Sequence, residues 1–291
     1  MRNQIIDSIY EKMATDRRIF FLTADMGINL VEKIQTKFPD RFLNVGIAEQ
    51  NLIGVAAGLA NTGYLPFAYT IGNFLVQRCL EQIRNDICLH AYPVTLVGTS
   101  TGYDNAPLGP THHMVDDWGC LKGFHGMDIY CPSTVAYSRS ILDKILSNHR
   151  PAYIRIPKGE YTGNQSLEDF TYIGKAGSST LVVTYGELAQ LCSDYQSGGG
   201  EFSLLICNQL HPLDLMVILP FLEKFARIIV IEDHSYQSGL YSSIASLVCE
   251  NGLKIAKLCS IAPRKYRFDV MSNSKSYLMD LINILKSSIK N

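Results

Sequence analysis

Four short β-branched runs, IFFLTAD (19–25), VTLVGTS (94–100), MDIYCPS (127–133) and AYIRIP (152–157), alternate with stretches of helical periodicity. Strands separated by helices pair in parallel, because each crossover returns the chain to the same end of the sheet. The alternation therefore predicts an α/β fold with a doubly wound, mostly parallel sheet covered on both faces. The opening MRNQIIDSIYEKMATDRR sets Ile5, Ile6, Ile9 and Met13 on one side of a helix and is unlike a secretory signal. After CPS, Ser133 is the expected N-cap of a helix over TVAYSRSILDKILS.

The polar stretch KGEYTGNQSLEDFTYIGKAGSS (158–179) interrupts the pattern, and LVVTYG (181–186), FSLLIC (202–207) and RIIVIED (227–233) begin a second strand series. Two domains are expected, 1–165 and a smaller 175–291, with SGGGE (197–201) as a turn between helix and strand. In the second block only the Pro212-Leu213-Asp214 turn and the Glu232-Asp233-His234 strand end stand out. It reads as a stability and dimerisation domain.

Composition narrows the function classes. The 26 basic and 27 acidic residues include no basic block, so the electrostatic footprint of a nucleic-acid binder is missing. No apolar run is long enough to cross a bilayer, and a cytoplasmic location with small-molecule or protein partners is expected. Eight cysteines occur without a CxxC pair, several of them (Cys79, Cys88, Cys207) inside apolar segments. They read as reduced, buried thiols rather than zinc ligands or disulfides, and no metal ligands are assigned on this chain.

One acid stands out in NVGIAEQNLIGVAAGLANTGYLPF (44–67): Glu49, at the head of an otherwise aliphatic, glycine-rich helix. Its plain reading is a favourable helix-dipole interaction of about 0.3–1 kcal/mol. Gly54 and Gly58 inside that helix each cost about 1 kcal/mol against alanine, so they ask for a close helix contact. The segment also resembles the pyrimidine-binding domain of thiamine diphosphate enzymes, above all transketolase. The resemblance is carried by Ala24-Asp25, by Gly46-Ile47-Ala48-Glu49-Gln50-Asn51, by PFAYTIGNF (66–74) and by Gly109-Pro110-Thr111-His112. In the second block TYG (184–186), PLD (212–214), IEDH (231–234) and Gly239 resemble the transketolase C-terminal domain, so nearly the whole chain is covered.

The resemblance implies a role for Glu49: a hydrogen bond to a ring nitrogen of the cofactor's aminopyrimidine, favouring the tautomer that deprotonates the thiazolium carbon. An apolar surrounding suits it, since excluding water strengthens a shared proton. It further implies that Phe74 and Ile71 face the pyrimidine, although both also read as core residues, and that Asp25 lies near the cofactor unless it is an ordinary loop acid. Against the family pattern FLVQRCLEQIR (74–84) holds one residue more before Arg78, which leaves open whether Gln77 or Arg78 faces the cofactor.

On the substrate side, Arg2 and Lys158 match phosphate-contacting positions, Asn29 a serine position and Ser100 one often held by histidine; alone, each reads as surface polarity. His112 matches the histidine facing the reacting donor, with a buried structural histidine as the alternative, and Asp116 matches an acid expected to be structural. Leu108 replaces the usual aspartate that binds an acceptor hydroxyl, which implies a less hydroxylated or modified sugar.

Family members hold the diphosphate and Mg²⁺ through a Gly-Asp-Gly motif, and none occurs in the 291 residues. The resemblance thus implies the C-terminal half of a split, two-subunit transketolase, transferring a two-carbon ketol unit between phosphorylated sugars in specialised or modified-sugar biosynthesis. The N-terminal-half subunit would supply the diphosphate-binding domain and the Mg²⁺ ligands, within a heterotetramer. The alternatives are a 1-deoxyxylulose-5-phosphate synthase-like or 2-oxo acid dehydrogenase beta-like subunit, and a non-catalytic regulatory subunit.

Overall fold

The computed structural model describes residues 1–163, 166–267 and 274–290. The strands are β1 (Ile19–Thr23), β2 (Phe42–Asn44), β3 (Leu65–Ile71), β4 (Thr95–Thr99), β5 (Asp128–Tyr130) and β6 (Ala152–Arg155), then β7 (Phe170–Ile173), β8 (Thr180–Thr184), β9 (Ser203–Cys207), β10 (Gln209–His211), β11 (Arg227–Ile231) and β12 (Lys257–Ile261). They form a seven-stranded sheet of order β10-β5-β6-β4-β3-β1-β2 and a five-stranded sheet of order β12-β11-β8-β9-β7. Only β10–β5 and β7–β9 are antiparallel. Leu65–Thr70 of β3 are buried throughout, as helices on both faces of a parallel sheet require. One face is covered by the helix Arg2–Thr15, whose Ile5, Ile6, Ile9 and Met13 are buried as their spacing predicts.

β10 lies in the first sheet although its residues fall inside the expected 175–291 block. Local polar contacts hold it there. Lys144 Nζ donates to Asp169 Oδ2 (2.5 Å) and Gln209 Oε1 (2.7 Å), and Asn208 Oδ1 accepts from Ser133 N (2.9 Å). Ser133 is consequently not the cap of the following helix Val135–Asn148. Its hydroxyl accepts from Gly186 N (3.1 Å), and Thr134 caps instead, accepting from Tyr137 N (3.0 Å). Cross-sheet bonding takes both polar groups that a cap at Ser133 would have used.

A buried polar joint welds the two sheets. Arg155, at the end of β6, donates from Nε to both oxygens of Asp117 (3.2 and 3.0 Å), from Nη1 to both of Asp233 (3.1 and 3.2 Å) and from Nη2 to Met114 O (3.1 Å). Tyr153 OH also donates to Asp117 Oδ2 (2.7 Å). Glycine permits the approach: a Cβ at Gly102, whose φ is 58°, would collide with the Asp233 carboxylate, and one at Gly119 with Ser238 and His234.

His234 completes the joint, its Nε2 accepting from Gly119 N (3.3 Å) and its Nδ1 facing Ser235 O (3.1 Å). Burial, with the Arg155 guanidinium adding to it, pushes this imidazole down to about 3. A depressed histidine contributes stability that is complete above its ordinary value of 6.5 and is lost as pH falls through that window towards 3. We expect His234→Gln to flatten the decline in urea midpoint over that range. A decline as steep as wild type would assign acid sensitivity to other groups.

Candidate functional site

In a parallel sheet every strand ends on the same edge, and loops after the strands collect there, where α/β proteins bind ligands. Asp25 follows β1, Glu49 follows β2, Phe74 follows β3, Ser100 and His112 follow β4, and Lys158 follows β6. The topology thus gathers residues that lie more than a hundred positions apart.

Glu49 is the first residue of the helix Glu49–Asn61 and only 3% exposed. Arg78 Nη1 donates to its Oε2 at 2.5 Å, while Oε1 accepts no hydrogen bond among the described residues. The Arg78 guanidinium lies 4.3 Å from the centroid of the Phe74 ring, and that ring meets His112 edge-on with centroids 5.4 Å apart. Glu49, Arg78, Phe74 and His112 therefore form one contiguous cluster. The loop bearing His112 is pinned from below, with Asn73 Nδ2 donating to Thr111 O (3.0 Å) and His113 O (3.2 Å). His112 Nδ1 sits 3.0 Å from Thr111 Oγ1.

Segment 72–88 is a broken helix: Gly72–Val76 is α-helical, Leu80–Gln82 resumes after a turn, and Ile83–Cys88 is a π-helix. Across the turn Gln77 and Arg78 diverge. Gln77 Nε2 donates to Asp116 Oδ1 (2.5 Å), whose Oδ2 accepts from Tyr266 OH (2.7 Å), whereas Arg78 turns to Glu49. Ile71 is half-buried at the end of β3. Asp25, at a φ of 52°, is exposed and bonded to Asn44, whose Oδ1 accepts from Asp25 N at 2.9 Å.

Arg2, Ser100 and Lys158 line a separate cavity of about 420 Å³ together with Asn3, Asp104 and Asn105. The N-terminus of the helix Arg2–Thr15 opens into it, so two cations and the positive end of a helix dipole favour an anion there. Also lining this cavity is Asp104, which no sequence signal singles out. Burial, reinforced by the carboxylates of Glu187 and Asp233, pushes it up to about 8 despite Arg155 and Lys158. Asn29 and Leu108 do not line this cavity. Asn29 N donates to Glu32 Oε1 (2.6 Å), and Leu108 is exposed at the end of the turn Ala106–Leu108.

A family profile described as "Transketolase, pyrimidine binding domain" matches residues 1–164. The chain belongs to the transketolase family. It is 31% identical over 229 residues to an apulose-4-phosphate transketolase subunit of Actinobacillus succinogenes, covering 75% of this chain and 73% of that protein. It is 30% identical over 261 residues to a 6-deoxy-6-sulfo-D-fructose transketolase subunit of Clostridium sp. (strain MSTE9), covering 86% of this chain and 81% of that one. Among solved structures, a split-gene transketolase described as an inactive beta4 tetramer superposes with a TM-score of 0.82 at 24% identity, covering 99% of this chain and 97% of that chain. In fold and extent this transketolase-family chain thus matches a separately encoded subunit.

The cluster fits the group that the family implies. A buried carboxyl group joined through Arg78 to an aromatic ring suits an aminopyrimidine, whose ring nitrogen can share a proton with a carboxylate oxygen. Among the described residues no three His, Cys, Asp or Glu side chains are placed to hold a metal ion.

Proposed function

We propose that this chain is the pyrimidine-binding and C-terminal half of a split transketolase, with residues 1–165 forming the cofactor-facing domain and 175–291 the supporting one. The observation that carries the proposal is buried Glu49 at the carboxyl edge of the sheet, joined to the Phe74 ring through Arg78. Thiamine diphosphate, when bound, supplies the carbanion chemistry of two-carbon ketol transfer. Glu49 holds a proton at the pyrimidine nitrogen, Phe74 and Ile71 orient the ring, and apolar neighbours exclude water. His112, edge-on to Phe74, donates to or accepts from the substrate oxygen at the reacting carbon.

The partner subunit contributes the diphosphate-binding domain with its Mg²⁺ ligands. Two features support a surface awaiting another chain. Ile28 and Ile47 are exposed in loops that follow β1 and β2, and Gly54 and Gly58 meet nothing within 4 Å of a Cβ, so the close contact they ask for is not made among the described residues. A heterotetramer in the cytoplasm completes the proposal. Calorimetry tests the split: thiamine diphosphate with Mg²⁺ should bind tightly only when a Gly-Asp-Gly subunit is added, and tight binding to this chain by itself would overturn it.

The substrate phosphate occupies the Arg2–Lys158 cavity. Replacing either cation by alanine is expected to raise KM for the phosphorylated substrate roughly tenfold with little change in kcat. An unchanged KM would place the phosphate elsewhere. Exposed Leu108 removes an acceptor-hydroxyl contact and favours a deoxy or otherwise modified sugar. Turnover of xylulose 5-phosphate with ribose 5-phosphate at full rate would contradict that assignment.

A further inference from the structure

The pyrimidine pocket proposed above is already filled by the chain itself. Glu49 faces a flat, hydrogen-bond-donating cation whose central carbon lies 4.3 Å from the Phe74 ring centroid, the same two contacts that an aminopyrimidine would make. We infer that Arg78 is a built-in placeholder for the cofactor's pyrimidine, satisfying Glu49 before the cofactor arrives and swinging out when it binds. The inference rests on the pyrimidine-pocket reading.

Three features make Arg78 suited to this. A carboxylate that is 3% exposed needs a charged or hydrogen-bonding partner, and guanidinium supplies both charge and a planar stacking surface. The residue sits on the turn between two helical pieces, its carbonyl accepting from Gln50 Nε2 (3.2 Å), so the side chain can leave without unwinding a helix. It is 43% exposed and has solvent to move into. Gln77, one position earlier, is tied to Asp116 and cannot take its place. The turn between the two helical pieces thus sets Arg78 over the pocket.

The ion pair competes directly with the ring, so removing it should help binding rather than harm it. A cation held in the incoming ring's path by one ion pair and one ring contact costs that ring roughly tenfold in affinity. The test uses the isolated chain and the free pyrimidine 4-amino-5-hydroxymethyl-2-methylpyrimidine, measured by NMR titration. Arg78→Met should bind this probe about tenfold more tightly than wild type, and Arg78→Lys, which keeps charge without the planar stack, should fall between. Glu49→Gln should lose binding. In wild type, the Arg78 side-chain ¹⁵Nε resonance should shift towards that of a solvated arginine as the probe saturates. Binding that depends on Glu49 but is equal or weaker in Arg78→Met would make Arg78 a cofactor contact and overturn the placeholder, leaving the pocket intact. Binding indifferent to Glu49 in every variant would overturn the pocket as well. Thermal unfolding of each variant, expected within a few degrees of wild type because water can reach Glu49 once Arg78 is gone, separates misfolding from these outcomes.

Discussion

Glu49→Gln is expected to lower turnover of the reconstituted enzyme about a thousandfold while leaving the subunits assembled. Positioned proton transfer of this kind contributes on the order of 10²–10⁴ in rate, and an amide cannot share a proton with the pyrimidine nitrogen as a carboxylate does. The change is nearly isosteric. Glutamine Oε1 can still accept from Arg78, and the helix start it occupies is unaltered. Stability should therefore move by no more than about 1 kcal/mol. Steady-state rates with size-exclusion analysis of the complex provide the check. Activity within tenfold of wild type would remove Glu49 from the chemistry and leave only the helix-dipole role.

The largest effect on stability is expected at Arg155. Arg155→Leu strands Asp117, which has 0% side-chain exposure and would keep only the Tyr153 hydroxyl and a distant, neutral His234. Removing one member of a buried ion pair typically costs about 3–5 kcal/mol, because the remaining charge stays in a medium that cannot solvate it. Urea unfolding should show a loss of that size. The double replacement Arg155→Leu with Asp117→Leu should regain part of it, since an apolar pair leaves no orphaned charge. Asp233, at 17% exposure, can rehydrate and contributes less to the penalty. A loss below about 1 kcal/mol for the single change would mean that water enters the joint freely.

Strand positions were legible wherever β-branched residues ran together: β1, β4, β5, β6, β9 and β11 fall inside the runs that announce them, and β8 starts one residue before its run. β10 was not, because QLH is short, half polar and held by Lys144 and Asn208 rather than by its own propensity. The Ser133 cap failed for a related reason, since local chemistry favours it equally with Thr134 and only the distant Gly186 and Asn208 decide between them. Arg155 offered a usable signal, a charge in the otherwise apolar AYIRIP. Its partners lie 38 and 78 positions away, beyond any periodicity. In the site, the resemblance to transketolase picked out Glu49, Phe74 and His112, which the fold brings into one cluster. Whether Gln77 or Arg78 turns towards Glu49 depends on the turn that breaks the helix after Val76 and on Asp116 holding Gln77, a matter of packing and not of composition.

Because β10 leaves the second strand series to close the edge of the first sheet, gene fission has only certain places to act. Two polypeptides that meet across a finished surface can be encoded apart. A cut between the two strand series of this chain would instead strip β5 of its neighbour, baring an unpaired edge that invites self-association. It would also leave Asp117 and Asp233 on different molecules, with Arg155 between them. The two sheets are consequently interlocked, by a strand that crosses from one series to the other and by an arginine held between two acids.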